Sequence, residues 1–243
     1  MRTRSLVIYT DLLITELGLM NKFEKIQVVK ILGVNTENSV LITDMSDYWR
    51  EYGKMQMWGD VSIRTMKAGS GDRSFYGKTP HYPVVKEKTV EKKCRQLIKD
   101  GYWAIVAECI DPKNAELAGA IHVGPELTTV ELAKGPGTTR RVTHDGKIDI
   151  KFQVPTHMIY RFVSLHEDDR VNDMLAALRP IQSDSYVAEV SYYSEPVGWN
   201  CQHVIVWELT DDGTGSSIFA PGKRVTGIRS PKIPPPPKGR VSR

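Results

Sequence analysis

One acid and one lysine near the middle of the chain have the spacing used in phosphodiester chemistry. Asp149-Ile150-Lys151 lies on a predicted strand, where a D-x-K element can place a carboxylate on Mg²⁺ and a lysine beside the attacking water. A metal-dependent nuclease needs another acid from a preceding strand, and Glu126 and Glu131 are the near candidates. A solvent-facing Asp and Lys on a two-residue period explains the same letters, and we favour that simpler interpretation.

Basic residues are concentrated between residues 54 and 102. This segment has eleven basic residues against five acids, and its Gly- and Pro-rich part at 67–83 predicts a long exposed loop before a helix. Lysine and arginine neutralise phosphates, while exposed aromatic rings stack on bases. The alternative is a solvated helix face beside a turn-rich loop. The candidate phosphate contacts are Arg64, Lys67, Arg73, Lys78, Lys92 and Arg95.

Other catalytic patterns are absent from the sequence. Gly77-Lys78-Thr79 ends a glycine-rich stretch, but Asp72 stands where a P-loop needs glycine, and Pro80 and Pro83 follow where a helix should begin. The three cysteines and six histidines lack the paired spacing of a zinc site. We therefore expect a non-catalytic protein without a cofactor or a metal.

The first half of the chain predicts a sheet followed by a helix. Strands are expected at 23–34, 38–43 and 54–66 from their β-branched or alternating residues. An amphipathic helix follows the loop, and Gly101 is expected to cap its end. The apolar stripe of this helix consists of Val90, Cys94, Leu97 and Ile98.

The second half predicts another antiparallel sheet with one helix. The helix is expected at 168–178, before Pro180, and a hairpin turn is expected at His144-Asp145-Gly146. The predicted fold class is therefore α+β. The expected strands are 104–107, 120–123, 140–143, 147–154, 158–165, 186–193 and 202–209.

Three separated strings of the first half form a recognisable set. They are Asn21-Lys22-Phe23-Glu24-Lys25-Ile26-Gln27, Met57-Trp58-Gly59-Asp60-Val61 and Gln96-Leu97-Ile98-Lys99-Asp100-Gly101-Tyr102. Together they resemble a WGR domain, a module of poly(ADP-ribose) polymerases and bacterial regulators. The resemblance covers residues 21–103 and implies a DNA-binding antiparallel sheet plus helix, with Trp58 against a sugar and base. Asp60 stands where the family has the arginine that holds a phosphate, so a nearby cation would have to replace it.

Four segments organise the predicted chain. Residues 1–20 form a leader in which Met20 is a candidate true start, and 21–103 form the WGR-like domain. Residues 104–210 form a second α+β domain, and 211–243 form a disordered, basic, Pro-rich tail. The leader is too interrupted by polar residues to be a membrane span or a signal peptide. Three cysteines without disulfide spacing favour the cytoplasm.

Charge and resemblance together predict non-catalytic binding of nucleic acid by an accessory protein; the partner is DNA or RNA, and we favour DNA. The formal net charge is +4, but residues 155–220 carry three arginines against ten acids, which leaves the acidic region 155–210 for a protein partner. One alternative is an interaction or assembly protein with no nucleic-acid role. The other is the nuclease built on Asp149 and Lys151.

Overall fold

The computed structural model describes Leu17 and residues 20–68, 79–135, 147–181 and 185–211. These residues form two antiparallel sheets and a few helices, so the predicted α+β class is confirmed. The predicted hairpin turn at 144–146 and the tail from 212 onward lie outside the described residues. In chain order the elements are α1 Lys22–Ile31, β1 Ser39–Ile42, α2 Met45–Trp58, β2 Val61–Lys67, β3 His81–Val85, α3 Val90–Lys99, β4 Tyr102–Glu108, β5 Leu117–Val123, β6 Leu127–Lys134, β7 Ile150–Pro155, α4 Thr156–Ile159, α5 Asp169–Ala177, β8 Tyr186–Val197 and β9 Gln202–Asp211.

The first sheet has four strands in the order β1-β4-β2-β3. Helices α2 and α3 pack on one face of it, because both have apolar stripes that must be buried. Tyr48 and Met55 of α2 share a core with Cys94 and Leu97 of α3 and with Ile63 of β2. The helices thus leave the other face of this sheet available to the rest of the chain.

The second sheet has five strands in the order β7-β6-β5-β8-β9. One of its faces forms the largest apolar core, which is closed by α4 and α5. Met174 and Leu175 of α5 pack there against strand residues such as Ile121 and Val190. Gly119 is required in β5, because a Cβ at this position would lie 2.1 Å from the backbone oxygen of Glu131.

Helix α1 contacts both sheets. Ile26 lies in a small buried cluster with Met66 of β2 and Ile105 of β4. Val28 and Val29, on another side of the helix, belong to the large core of the second sheet. The first sheet and the second sheet are therefore joined through α1.

The strand predicted at 23–34 is wrong, since these residues form α1. Asn21 caps the helix: its side chain accepts a hydrogen bond of 3.0 Å from the backbone N–H of Glu24. The Glu24 carboxylate accepts one of 2.8 Å from the backbone N–H of Asn21 in return. This capping box satisfies the first amides of a helix and outweighs the β propensity of the valines and isoleucines.

Two further strand predictions need correction. The strand predicted at 54–66 is only half right, because α2 continues to Trp58 and a strand begins at Val61 after Gly59, whose φ of 71° ends the helix. The strand predicted at 158–165 is wrong. Its first residues belong to the short helix α4, and no strand crosses the remainder within the described part of the chain.

The two amphipathic helices and five of the strands match their predictions. Helices α3 and α5 occupy the predicted segments, and Gly101 follows α3 with a positive φ of 81°. Strands β1, β4, β5, β8 and β9 lie where β-branched residues predicted them, while β3 and β6 were not predicted. No helix in the described ranges is long and apolar enough to span a bilayer.

Candidate functional site

Two glutamates stand side by side on neighbouring strands of the second sheet. Glu189 on β8 is the register partner of Glu208 on β9. Val190, next to Glu189, belongs to the apolar core, and strand alternation turns successive side chains to opposite faces. The two carboxyl groups therefore share the face that looks away from that core.

Burial makes ionisation of Glu189 costly. The pKa of Glu189 is raised to about 7: loss of solvent is the largest cause and the neighbouring carboxylate of Glu208 adds to it, while Lys22 and Arg64 act in the opposite direction. Near neutral pH, Glu189 therefore exchanges a proton readily. A cation placed beside the pair would favour the ionised form.

Basic side chains from α1 and β2 approach the glutamates. Lys25 of α1 lies with its Nζ 3.5 Å from Oε1 of Glu208. Lys22, one helical turn earlier, lowers the pKa of Glu37, of His81 and of Glu189 through its charge. The face with the two glutamates is therefore mixed in charge and not simply acidic.

Arg64 spans the space between the two sheets. Its Nη2 donates a hydrogen bond of 3.0 Å to Oε2 of Glu37, and its Nη1 lies 2.9 Å from Oε1 of the same carboxylate. Its guanidinium carbon also lies 5.5 Å from the ring centroid of Trp207 on β9, within the range of a cation–π interaction. Trp207 is held by a 2.8 Å hydrogen bond from its indole nitrogen to the Ser191 hydroxyl.

Glu37 and His81 complete the surroundings of Arg64. Glu37 is only 1% exposed; burial raises its pKa, whereas Arg64 and Lys22 act to lower it. His81 is the register partner of Arg64 on β3, and burial, followed by the charges of Arg64 and Lys22, lowers its pKa. His81 is therefore neutral at neutral pH.

A third glutamate lies in the same row across the second sheet. Glu131 on β6 pairs with Ala120 on β5, which pairs in turn with Glu189. Glu131 is 5% exposed, and one of its oxygens accepts from Lys151. Its Oε2 is buried and has no hydrogen-bond partner within the described residues. Such an atom is unusual, because buried polar groups are nearly always paired.

The carboxyl groups of Glu189 and Glu208 suit a hard cation whose coordination is completed by a bound ligand. Within the described ranges, no group of three or more His, Cys, Asp or Glu side chains is placed to hold a metal alone. Mg²⁺ is commonly held by one or two carboxylates, with phosphate oxygens and water supplying the remaining ligands. The adjacent carboxyl groups of Glu189 and Glu208 match that requirement, so these residues fit the ion.

The predicted nucleic-acid contacts that the structure describes lie on different elements. Trp58 ends α2, not a strand, and packs partly buried against the core of the first sheet. Arg64 is directed between the sheets towards Glu37, whereas Lys67 is exposed at the end of β2. Lys92 and Arg95 lie on the outer face of α3. The other two predicted cations, Arg73 and Lys78, lie outside the described residues.

The nuclease alternative is also wrong. Asp149 is exposed just before β7, where its carboxylate accepts a 2.7 Å hydrogen bond from the backbone N–H of Lys134. Lys151 is largely exposed and paired with Glu131. Both residues therefore stabilise the β6–β7 pairing, and Asp149 does not lie beside Glu189 and Glu208.

Comparison with known proteins finds distant structural likeness only. No family model matches the chain, and no curated protein matches it. The macrocyclase MdnC from Microcystis aeruginosa MRC, bound with precursor peptide MdnA, has a TM-score of 0.44 at 10% identity over 83% of this chain and 56% of that one. A D-alanine–D-alanine ligase from Bacillus anthracis, complexed with ATP, has a TM-score of 0.40 at 15% identity over 81% and 58%.

A third similar structure is a RiPP-associated ATP-grasp ligase from Chryseobacterium gregarium in complex with ADP and a leader and core peptide. Its TM-score is 0.44 at 12% identity, over 86% of this chain and 60% of that one. The chain thus spans somewhat more than half the length of these three proteins. Structural likeness with a TM-score below 0.5 assigns neither an activity nor a ligand to this chain.

The WGR assignment and the DNA-binding function that it implied are wrong. The string from Asn21 to Gln27 begins a helix where the family has a strand, and the Trp58-Gly59 pair lies at a helix end. No family model, that of the WGR domain included, matches the chain. Among the predicted cations that the structure describes, Arg64 points between the sheets, Lys67 lies at the end of β2, and Lys92 and Arg95 lie on α3.

The sequence interpretation missed the residues that meet between the sheets. Within the predicted strands 186–193 and 202–209, Glu189 and Glu208 are each the only acidic residue and no Lys or Arg is present; that is a signal, because a carboxyl group placed there must be buried or turned to a special face. Glu37, Lys22 and Lys25 carry no comparable signal. Their role depends on α1, which was predicted as a strand.

Proposed function

We propose that this chain binds a magnesium-complexed polyphosphate, such as MgATP, in the space between its two sheets. The observation that carries the proposal is the pairing of Glu189 with Glu208 on a face that Arg64 and Lys25 approach from other elements. Carboxylates alone would attract a metal, and cations alone would attract an anion. Both together, at close range, suit a ligand that contains both charges.

Each set of side chains has its own role in this proposal. Glu189 and Glu208 hold the Mg²⁺ ion, which neutralises phosphate charge when it is bound. Arg64 and Lys22 hold phosphate oxygens, and Glu37 keeps the Arg64 guanidinium oriented in the absence of the ligand. Binding displaces the proton that Glu189 carries near neutral pH, because its pKa of about 7 falls beside a cation.

ATP-dependent ligation becomes the activity to assay once MgATP binding has been measured. It is the reaction class of the ATP-grasp ligases described above, and for this chain it is part of the proposal. A cytoplasmic location also belongs to the proposal, since the sequence has cysteines without disulfide spacing and intracellular fluids keep such thiols reduced.

Thermal unfolding in the presence of ligands tests the proposal. We expect MgATP to raise the Tm of the full chain more than ATP or Mg²⁺ alone, because a ligand that binds only the folded state adds about 2.7 kcal/mol at a concentration of about 100 Kd. The shift should be larger at about pH 8 than at about pH 6, since deprotonated Glu189 binds the metal. Calorimetric titration would give the affinity.

Two matched variants make the result specific. Glu208→Gln should lose most of the MgATP-dependent shift, whereas Glu195→Gln, which changes an exposed glutamate on the same β8–β9 hairpin, should retain it. The proposal is wrong if MgATP gives no shift, or if both variants respond as the parent does.

A further inference from the structure

Helices α2 and α3 present an exposed surface that the proposed ligand site does not use. On α3, a shallow pocket of about 400 Å³ lies along the solvent-facing side. On α2, Trp49 is 52% exposed and Met57 is 54% exposed. We call the two together the α2–α3 surface. The pocket is lined by Lys88, Glu91, Lys92, Arg95, Gln96 and Lys99.

The exposed indole of this surface is supported by neighbouring rings. The ring centroid of Trp49 lies 5.0 Å from that of Tyr48 and 5.5 Å from that of Tyr52, both in edge-on arrangements. Such contacts restrict the side chain, so less conformational entropy is lost when a partner covers it. A rigid, half-exposed tryptophan is a common anchor of protein interfaces.

The aromatic and basic parts of the surface are adjacent. Tyr48 of α2 packs with Cys94 and Leu97 of α3 in one core. Burial raises the pKa of Tyr48 to about 12, and Glu91 and Arg95 are among the charges that influence it. These two residues line the pocket, so the pocket begins beside the ring cluster that contains Trp49.

The pocket carries an excess of positive charge. Four cations line it against one carboxylate, and that carboxylate, Glu91, is paired with Arg95 at 2.8 Å. Among the residues that the structure describes, Lys88, Lys92 and Lys99 have no ion partner. The charge available to a partner is therefore positive and unshared.

We infer that the α2–α3 surface docks an acidic peptide segment that also carries aromatic or aliphatic side chains. Its carboxylates would meet Lys88, Lys92 and Lys99, and its apolar side chains would cover Trp49. A polyanion without apolar groups would satisfy only the lysines and leave the indole in water. Charge complementarity and the apolar anchor therefore select the same kind of partner.

Fluorescence anisotropy with designed peptides tests this inference. The probe is a short labelled peptide of glutamate, leucine and phenylalanine, and two control peptides replace either its glutamates with lysine or its apolar residues with serine. We expect the probe to bind about tenfold more tightly than either control, a difference of about 1.4 kcal/mol. Unlabelled duplex DNA of equal charge should compete poorly.

Variants of exposed residues separate the two parts of the surface. Trp49→Ala and the double variant Lys92→Glu/Lys99→Glu should each weaken probe binding about tenfold. Lys113→Glu, which reverses an exposed charge between β4 and β5, should bind as the parent does. Circular dichroism verifies that each variant is folded.

Several results would overturn the inference. The inference is wrong if the probe fails to bind or if the serine control binds equally well. It is also wrong if DNA of equal charge competes with the probe, because that result would indicate a general polyanion surface. Equal weakening by Lys113→Glu would show that net charge alone controls binding.

Discussion

Glu189 is held in the folded protein at a position where its charge is disfavoured. Its pKa is about 7, against an ordinary value of 4.5, with burial as the largest cause and Glu208 as the next. Because the folded state keeps the proton that the unfolded state has lost, stability falls as the pH rises between these two values. A residue that reduces stability in this way is more common at a ligand site than in a purely structural core.

Replacing this carboxyl group should therefore stabilise the protein at high pH. Glu189→Gln has no proton to lose, so we expect its free energy of unfolding to exceed that of the parent by about 2 kcal/mol at about pH 8. The two proteins should be nearly equal at about pH 4, where the parent is protonated in both states. Urea unfolding at the two pH values measures the difference, and an equal effect at both would contradict it.

Arg64 should matter for folding as well as for ligand binding. Glu37 is 1% exposed and depends on this guanidinium, so we expect Arg64→Ala to cost about 3 kcal/mol by leaving a buried carboxylate unpaired. The cost should be much smaller in a Glu37→Gln background, because the amide carries no charge. Chemical denaturation of the four proteins gives the coupling energy, and additive effects would disprove the pairing.

At the scale of elements, the N-terminal cap of α1 determines whether residues 22–31 form a helix or a strand. The segment contains three isoleucine or valine side chains that are buried, Ile26, Val28 and Val29, and such residues favour strands. The capping box from Asn21 to Glu24 favours a helix. The structure shows that this local signal prevails, together with burial of two sides of the helix.

Substitutions at the cap test this explanation. Asn21→Ala should lower the free energy of unfolding by about 1 kcal/mol, since the backbone N–H of Glu24 loses its acceptor. Asn21→Ser should stay within a few tenths of a kcal/mol of the parent, because a hydroxyl also caps a helix. Urea denaturation measures the free energy of unfolding of both variants. Equal losses of this free energy would show that the side-chain hydrogen bond is unimportant.

Elements with one clear pattern could be predicted from sequence, and those with conflicting patterns could not. Val90, Cys94 and Leu97 repeat at helical spacing and are buried together in α3, whereas α1 has a helix cap and a strand-like composition. The candidate site was even harder to predict from the sequence than α1. Glu189 faces Glu208 only because β8 and β9 pair in a register that includes a shift beside Glu189, and no local pattern specifies that register.

At the scale of the whole molecule, charged residues far apart in sequence meet between the sheets. Arg64 and Trp207 belong to different sheets, and their contact at 5.5 Å brings β2 and β9 together. The carboxylate of Glu108, at the end of β4, also accepts a 2.6 Å hydrogen bond from the backbone N–H of Trp199 in the β8–β9 turn. A ligand held by residues of both sheets would restrain their relative motion, which is why the proposal predicts a thermal shift.

The double contact of α1 has a consequence for any attempt to divide the protein. A proteolytic fragment that begins at Leu117 would retain the second sheet but lose Val28 and Val29, so a strip of its interior would be open to water. Such a fragment should aggregate when produced alone and recover when the amino-terminal fragment is supplied separately. The chain is thus suited to split-protein complementation, in which one short helix reunites two pieces.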